Sequence, residues 1–162
     1  METIINSKNE MFRHSIATLA YRAAKTLRNA PENFATFRID AKSRTSVEIL
    51  THMGDLIVWA LSMAKGKGIW HESTPQDWES EAARFFDSIR QFDTYLASGS
   101  TIACPLEKLF QGPIADALTH VGQLAMLRRL AGAPIIGENY FVADIIVGRV
   151  GPEQSQPRKT FG

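Results

Sequence analysis

The chain has 162 residues, a formal net charge of +1, 44% apolar residues and 22% charged residues. That length suits one domain with a substantial core, and near-neutral charge without a Lys/Arg run argues against a nucleic-acid partner. A single cysteine, Cys104, excludes an internal disulfide and fits a reducing, cytoplasmic setting; METIINSKNEMF lacks a leader pattern, and no apolar stretch is expected to reach the ~18 residues that span a bilayer, so no membrane partner is expected.

The first predicted helix lies in NEMFRHSIATLAYRAAKTLRNAP, where Phe12, Ile16, Leu19, Ala23 and Leu27 recur at helical spacing and Pro31 ends the run. The second opens at TSVE. Thr45 and Glu48 have the spacing of a capping box, and the helix runs to Gly66 and Gly68. For the third, TPQD predicts Thr74 as N-cap and Pro75 as the first helical residue. Trp78, Ala82, Phe85, Phe86, Ile89, Phe92 and Leu96 then follow the helical period to Gly99.

A short helical turn is expected after Pro105, and a fourth long helix from near Pro113 to Gly132. Ile145–Val147 reads as a short strand or a docked extended segment. Four amphipathic helices predict an all-α fold, a four-helix bundle over residues 1–150, with 151–162 as a flexible or docked C-terminal tail. The aromatic third helix, through Phe85, Phe86 and Phe92, offers an apolar face for a homodimer.

Polar residues interrupt this apolar pattern. Asp116 and His120 are four apart, so their side chains share one helix face, a spacing that suits two ligands to one metal. His52 points near the apolar face of the second helix and supplies a third ligand from a neighbour. Either histidine alone is most simply a packed helix residue, and Asp116 alone a residue favoured near a helix start. Together, two imidazoles and a carboxylate need partners if buried.

Around this set stand Asp55, placed to hold the second ring nitrogen of His52, and Gln123, placed to orient His120 or a substrate. Asn139 and Tyr140 in GENYF read as a lid over the bundle mouth or as pins for the C-terminal segment. His14, His71 and Cys104 read as rim, loop and inert residues, and Trp59, Trp70 and Trp78 as core and rim packing.

The stretches EILTHMGDLIVWAL and HVGQLAMLRRLAG carry a resemblance that extends from RHSIATLAYRAAKTL to GENYFVADI. They resemble the DinB/YfiT-like superfamily of metal-dependent helical proteins. That family is similar in having a His midway along its second helix, here His52. It also has a His-x-x-x-His pair ahead of a Gly-Gln-Leu run, here with His120 as the second member and Asp116 in place of the first.

The resemblance implies an up-down-down-up bundle, frequent homodimers, and a divalent metal, nickel or zinc ahead of iron or manganese. It implies a site of two imidazoles and one carboxylate where three imidazoles are usual. The activities it implies are those of a thiol-dependent transferase, using a low-molecular-weight thiol, or of a hydrolase acting on a small-molecule substrate. The alternative is a non-catalytic dimer that binds a ligand or partner, its metal site degenerate.

Overall fold

The computed structural model describes residues 2–161, with side chains from Ser7 onward. The side chains of METIIN, part of the segment read for a leader, and Gly162 at the end of the tail lie outside the described residues. The protein is mostly helical. Helix α1 spans Glu2–Leu27, α2 Ser46–Ala64, α3 Trp78–Ala97, the short α4 Leu106–Leu109 and α5 Ala115–Leu130. The strands β1 (Gly137–Glu138) and β2 (Thr160–Phe161) form one short antiparallel pair.

Helices α1 and α2 each pack against both α3 and α5. The shared core draws on all four, with Ile16, Leu19, Leu50, Met53, Ile57, Phe85, Phe92 and Leu124 fully buried. Phe85, Phe86 and Phe92, expected to offer an exposed dimer face, belong to this core instead: Phe92 packs edge-on against Phe12 of α1, and Phe85 against Phe86. Those rings fill the space between helices, which removes them from any surface contact.

By length and composition α2 is apolar enough to cross a membrane, with a mean hydropathy of 1.3 over 18 residues, contrary to the expectation from sequence. Its apolarity is taken up inside the protein, where 56% of that window is buried. The N-terminus of α2 carries the expected capping box: Thr45 Oγ1 accepts from the Glu48 N–H, and Glu48 accepts from the Thr45 N–H at 2.6 Å. Thr45→Ala should therefore cost about 1 kcal/mol, readable as a lower urea midpoint with an unchanged m-value.

Helix α3 starts later than the sequence predicts. Thr74 and Pro75 are not its cap. Asp77 is, accepting from the Ser80 N–H at 2.9 Å. The preceding segment is held extended by other partners. Ser73 donates its N–H and its hydroxyl to Asp55, at 2.9 and 2.7 Å, and the Gln76 N–H donates to Glu81 at 3.0 Å.

Helix α5 begins at Ala115, near Pro113 as expected. The turn after Pro105 forms as α4, and a π-helical turn over Phe110–Ile114 connects it to α5 with Pro113 inside. Proline lacks an N–H and crowds the carbonyl four residues back, and a widened turn accommodates both effects. Gly132 ends α5 at φ 77°, a left-handed position that suits glycine.

Ile145–Val147 forms no strand, and of its two readings the docked one fits Ile145, which packs against the core; the strand pairing goes to Gly137 with Phe161 and Glu138 with Thr160. The C-terminal segment is further tied by Arg28, just past α1, which donates to the Pro152 carbonyl at 3.4 Å. Arg128 closes the same end of the molecule. Its guanidinium donates to the carbonyls of Thr26, Arg28 and Asn29 at the C-terminus of α1, and to Ala133. A cation at a helix C-terminus satisfies carbonyls that have no partner within the helix.

Candidate metal centre

His52 lies midway along α2, and Asp116 and His120 lie one turn apart near the start of α5. Because α2 packs on α5, the three side chains converge. Their ligand atoms all lie within 4.8 Å of one another, a cluster that could hold a metal ion. The Asp116 carboxylate stands between the two rings: Oδ2 is 3.6 Å from His52 Nε2, and Oδ1 is 3.4 Å from His120 Nε2. The imidazoles sit edge to face with centroids 5.0 Å apart.

Both Nε2 atoms thus face the carboxylate, leaving each Nδ1 to be set by its surroundings. For His120 the partner is Gln123, whose side-chain oxygen accepts from Nδ1–H at 2.7 Å. That bond fixes the tautomer with a lone pair on Nε2, the form a metal needs. Gln123, expected to orient His120 or a substrate, lies within hydrogen-bond distance of His120. Gln123→Ala should weaken metal binding by about 10–100-fold yet leave the protein loaded at saturating metal, which a calorimetric titration would read.

The His52 pKa is lowered from its ordinary value, first by burial and then by the positive charge of Arg44 and by His120; Asp116 opposes the shift. The imidazole is therefore held neutral at neutral pH, again the ligating form. Exposure is graded across the cluster. The His120 side chain is 11% exposed, His52 20% and Asp116 46%, so the carboxylate side opens toward solvent. A set of two imidazoles and one carboxylate with an open approach suits a divalent ion that keeps positions for other ligands.

Asp55 does not hold His52. Its oxygens are taken by Ser73 and by Arg84, whose Nη1 donates at 2.9 Å. Arg84 also donates to Glu81 at 2.8 Å and to the Thr51 carbonyl at 2.6 Å. One turn along α2 was enough to suggest a partnership with His52, but the neighbouring loop and α3 supply a stronger cation and two better donors. Gly54 makes room for this arrangement: a Cβ there would lie 2.7 Å from Arg84 Nη2.

Asn139 and Tyr140 are not a lid. Asn139 caps the single 3-10 turn Tyr140–Val142, and the Tyr140 ring packs edge-on against Tyr21 with the Arg22 guanidinium 3.9 Å from its centroid. They pin the C-terminal segment to α1. The adjacent Glu138 is buried, accepting from Tyr21 at 2.5 Å and from Lys25 at 2.7 Å, and burial with this carboxylate raises the Tyr21 pKa.

Two residues near the cluster carried no functional signal in the sequence. Trp70, in the loop after α2, sets its ring edge-on to His52 at 5.7 Å and to Trp59 at the same distance. Arg44, just ahead of the α2 cap, lines the hollows on both sides of the cluster, one with His52 and the other with His120. An aromatic in a long connection and a lone Arg before a capping box are their only traces in the sequence. His71 is exposed in the same loop as Trp70, and Cys104 is half-buried with its thiol pKa raised by burial.

No family model matches the chain, and comparison with curated proteins and with solved structures gives no match either.

Proposed function

We propose that His52, Asp116 and His120 hold one divalent metal ion. On this reading the protein is a metal-dependent enzyme acting on a small molecule, by hydrolysis or by transfer with a low-molecular-weight thiol. The observation that carries the proposal is the convergence of the three ligand atoms from two helices, within 4.8 Å. The DinB/YfiT-like resemblance supports the same reading. The fold is then that family's up-down-down-up four-helix bundle, consistent with α1 and α2 each touching α3 and α5.

Two imidazoles favour nickel or zinc, and the carboxylate keeps iron and manganese in range. When bound, the ion supplies Lewis acidity, enough to acidify a water or thiol that reaches it. The chain's own residues do the positioning. Gln123 fixes the His120 tautomer, Trp70 covers part of His52, and the Asp116 side leaves the approach open. Homodimerisation and a cytoplasmic location belong to the same reading; sedimentation at micromolar concentration showing only monomer would remove the dimer.

The test is calorimetric titration of chelator-treated protein with nickel and with zinc. One ion per chain is expected. No binding of either ion at millimolar concentration would contradict the proposal and leave the non-catalytic, ligand-binding bundle as the better account.

A further inference from the structure

Beside the cluster, between the segment before α2 and the outer face of α5, lies a cleft of about 440 Å³. His120 reaches its floor, and Ile39, Ile49, Met126 and Leu127 give it largely apolar walls. Ile39 and Met126 are 66% and 51% exposed, large apolar side chains left out of the core at one place. Arg44 stands at the rim, and among the described residues its guanidinium makes no hydrogen bond or ion pair. An exposed guanidinium with no protein partner, beside an apolar wall, has the form of a site for an amphipathic anion.

We propose that the ligand of this cleft is an apolar monocarboxylate, its carboxylate held by Arg44 and its hydrocarbon lying against Ile39, Met126 and Leu127. The proposal rests on the metal-site reading, since it makes this molecule the substrate delivered to His120. Charge selects a monoanion. Among the described residues Arg44 is the one Lys or Arg that lines the cleft, and Glu48, in the first turn of α2, is close enough to feel it. A phosphate, carrying nearly two charges, would have a single guanidinium in this cleft to balance it. The guanidinium fork matches a carboxylate in geometry as well as in charge.

Octanoate, octan-1-ol and octyl phosphate serve as probes, titrated by calorimetry into chelator-treated wild type, Arg44→Gln and Met126→Glu. Arg44 and Met126 are both exposed, so neither change should disturb the fold, and a circular dichroism melt checks this. Octanoate should bind wild type and lose about tenfold or more in affinity in Arg44→Gln, as for a hydrogen bond to a charged group. It should also weaken in Met126→Glu, which places a like charge on the wall. Octan-1-ol should bind more weakly than octanoate and show no dependence on Arg44.

Equal octanoate affinity in wild type and Arg44→Gln, or tighter binding of octyl phosphate than of octanoate, would overturn the proposal. Nickel affinity is measured separately on the same proteins. Arg44-dependent octanoate binding by a protein that takes no nickel would sustain the carboxylate cleft while removing the metal reading. Nickel binding without octanoate binding would do the reverse.

Discussion

Arg84→Met should be the most destabilising single change in the protein away from the apolar core, at about 3–5 kcal/mol. Arg84 is the shared cation of two buried carboxylates, Asp55 at 4% exposure and Glu81 at 1%. Methionine fills much of the volume but leaves both carboxylates without their cation, and the cost lies in those unpaired charges more than in the lost attraction. The same change frees the Thr51 carbonyl and loosens the Ser73 segment that Asp55 ties down. A fall in melting temperature of roughly 6–20 °C follows for a domain of this size. Arg84→Lys should fall between the two, since it keeps the charge and loses the fork. A melting temperature for Arg84→Met within about 2 °C of wild type would show that the network does not hold the loop.

Asp116→His and His120→Ala should move metal affinity in opposite directions. Removing His120 takes away a ligand whose tautomer is already set by Gln123, and the loss should exceed the roughly 10–100-fold expected from removing a supporting partner. Asp116→His puts a third imidazole between two others, on a turn of α5 already aimed at His52. Nickel and zinc, which favour imidazole nitrogen, should bind more tightly, and manganese, which favours oxygen, more weakly. Neither variant should alter helix content, because Asp116 is nearly half exposed and His120 lies at the edge of the core. Titration of wild type and both variants with nickel and manganese reads all of this. Unchanged nickel affinity in His120→Ala would remove that residue from the site.

Local signals in the sequence were enough where the physics is local. The Thr45 and Glu48 capping box, the apolar face of α2 and the one-turn spacing of Asp116 and His120 depend on residues a few positions apart. Their geometry follows once a helix forms. His52 was legible as a candidate only by its place on an apolar helix face; what joins it to that pair is the tertiary packing of α2 on α5.

Other features depended on distant partners and stayed hidden. The start of α3 moved from Thr74 to Asp77 as Ser73 bonded to Asp55, 18 positions back in α2. Asp55 turned from His52 toward Arg84 for the same reason, a cation 29 positions along the chain. The phenylalanines of α3 were legible as apolar, yet periodicity alone does not say which apolar face meets the core. The pairing of Gly137 with Phe161 joins two stretches without strand-like composition, and Glu138 is buried there only because Tyr21 and Lys25 of α1 receive it.

The most direct measurement is the metal content of protein purified without an affinity tag, compared between wild type and a His52→Ala, His120→Ala double variant. A site built from these side chains predicts close to one divalent ion per chain in wild type and almost none in the variant, with helix content unchanged. Equal metal content in the two proteins would contradict it, and His120 would then be a packed residue of α5.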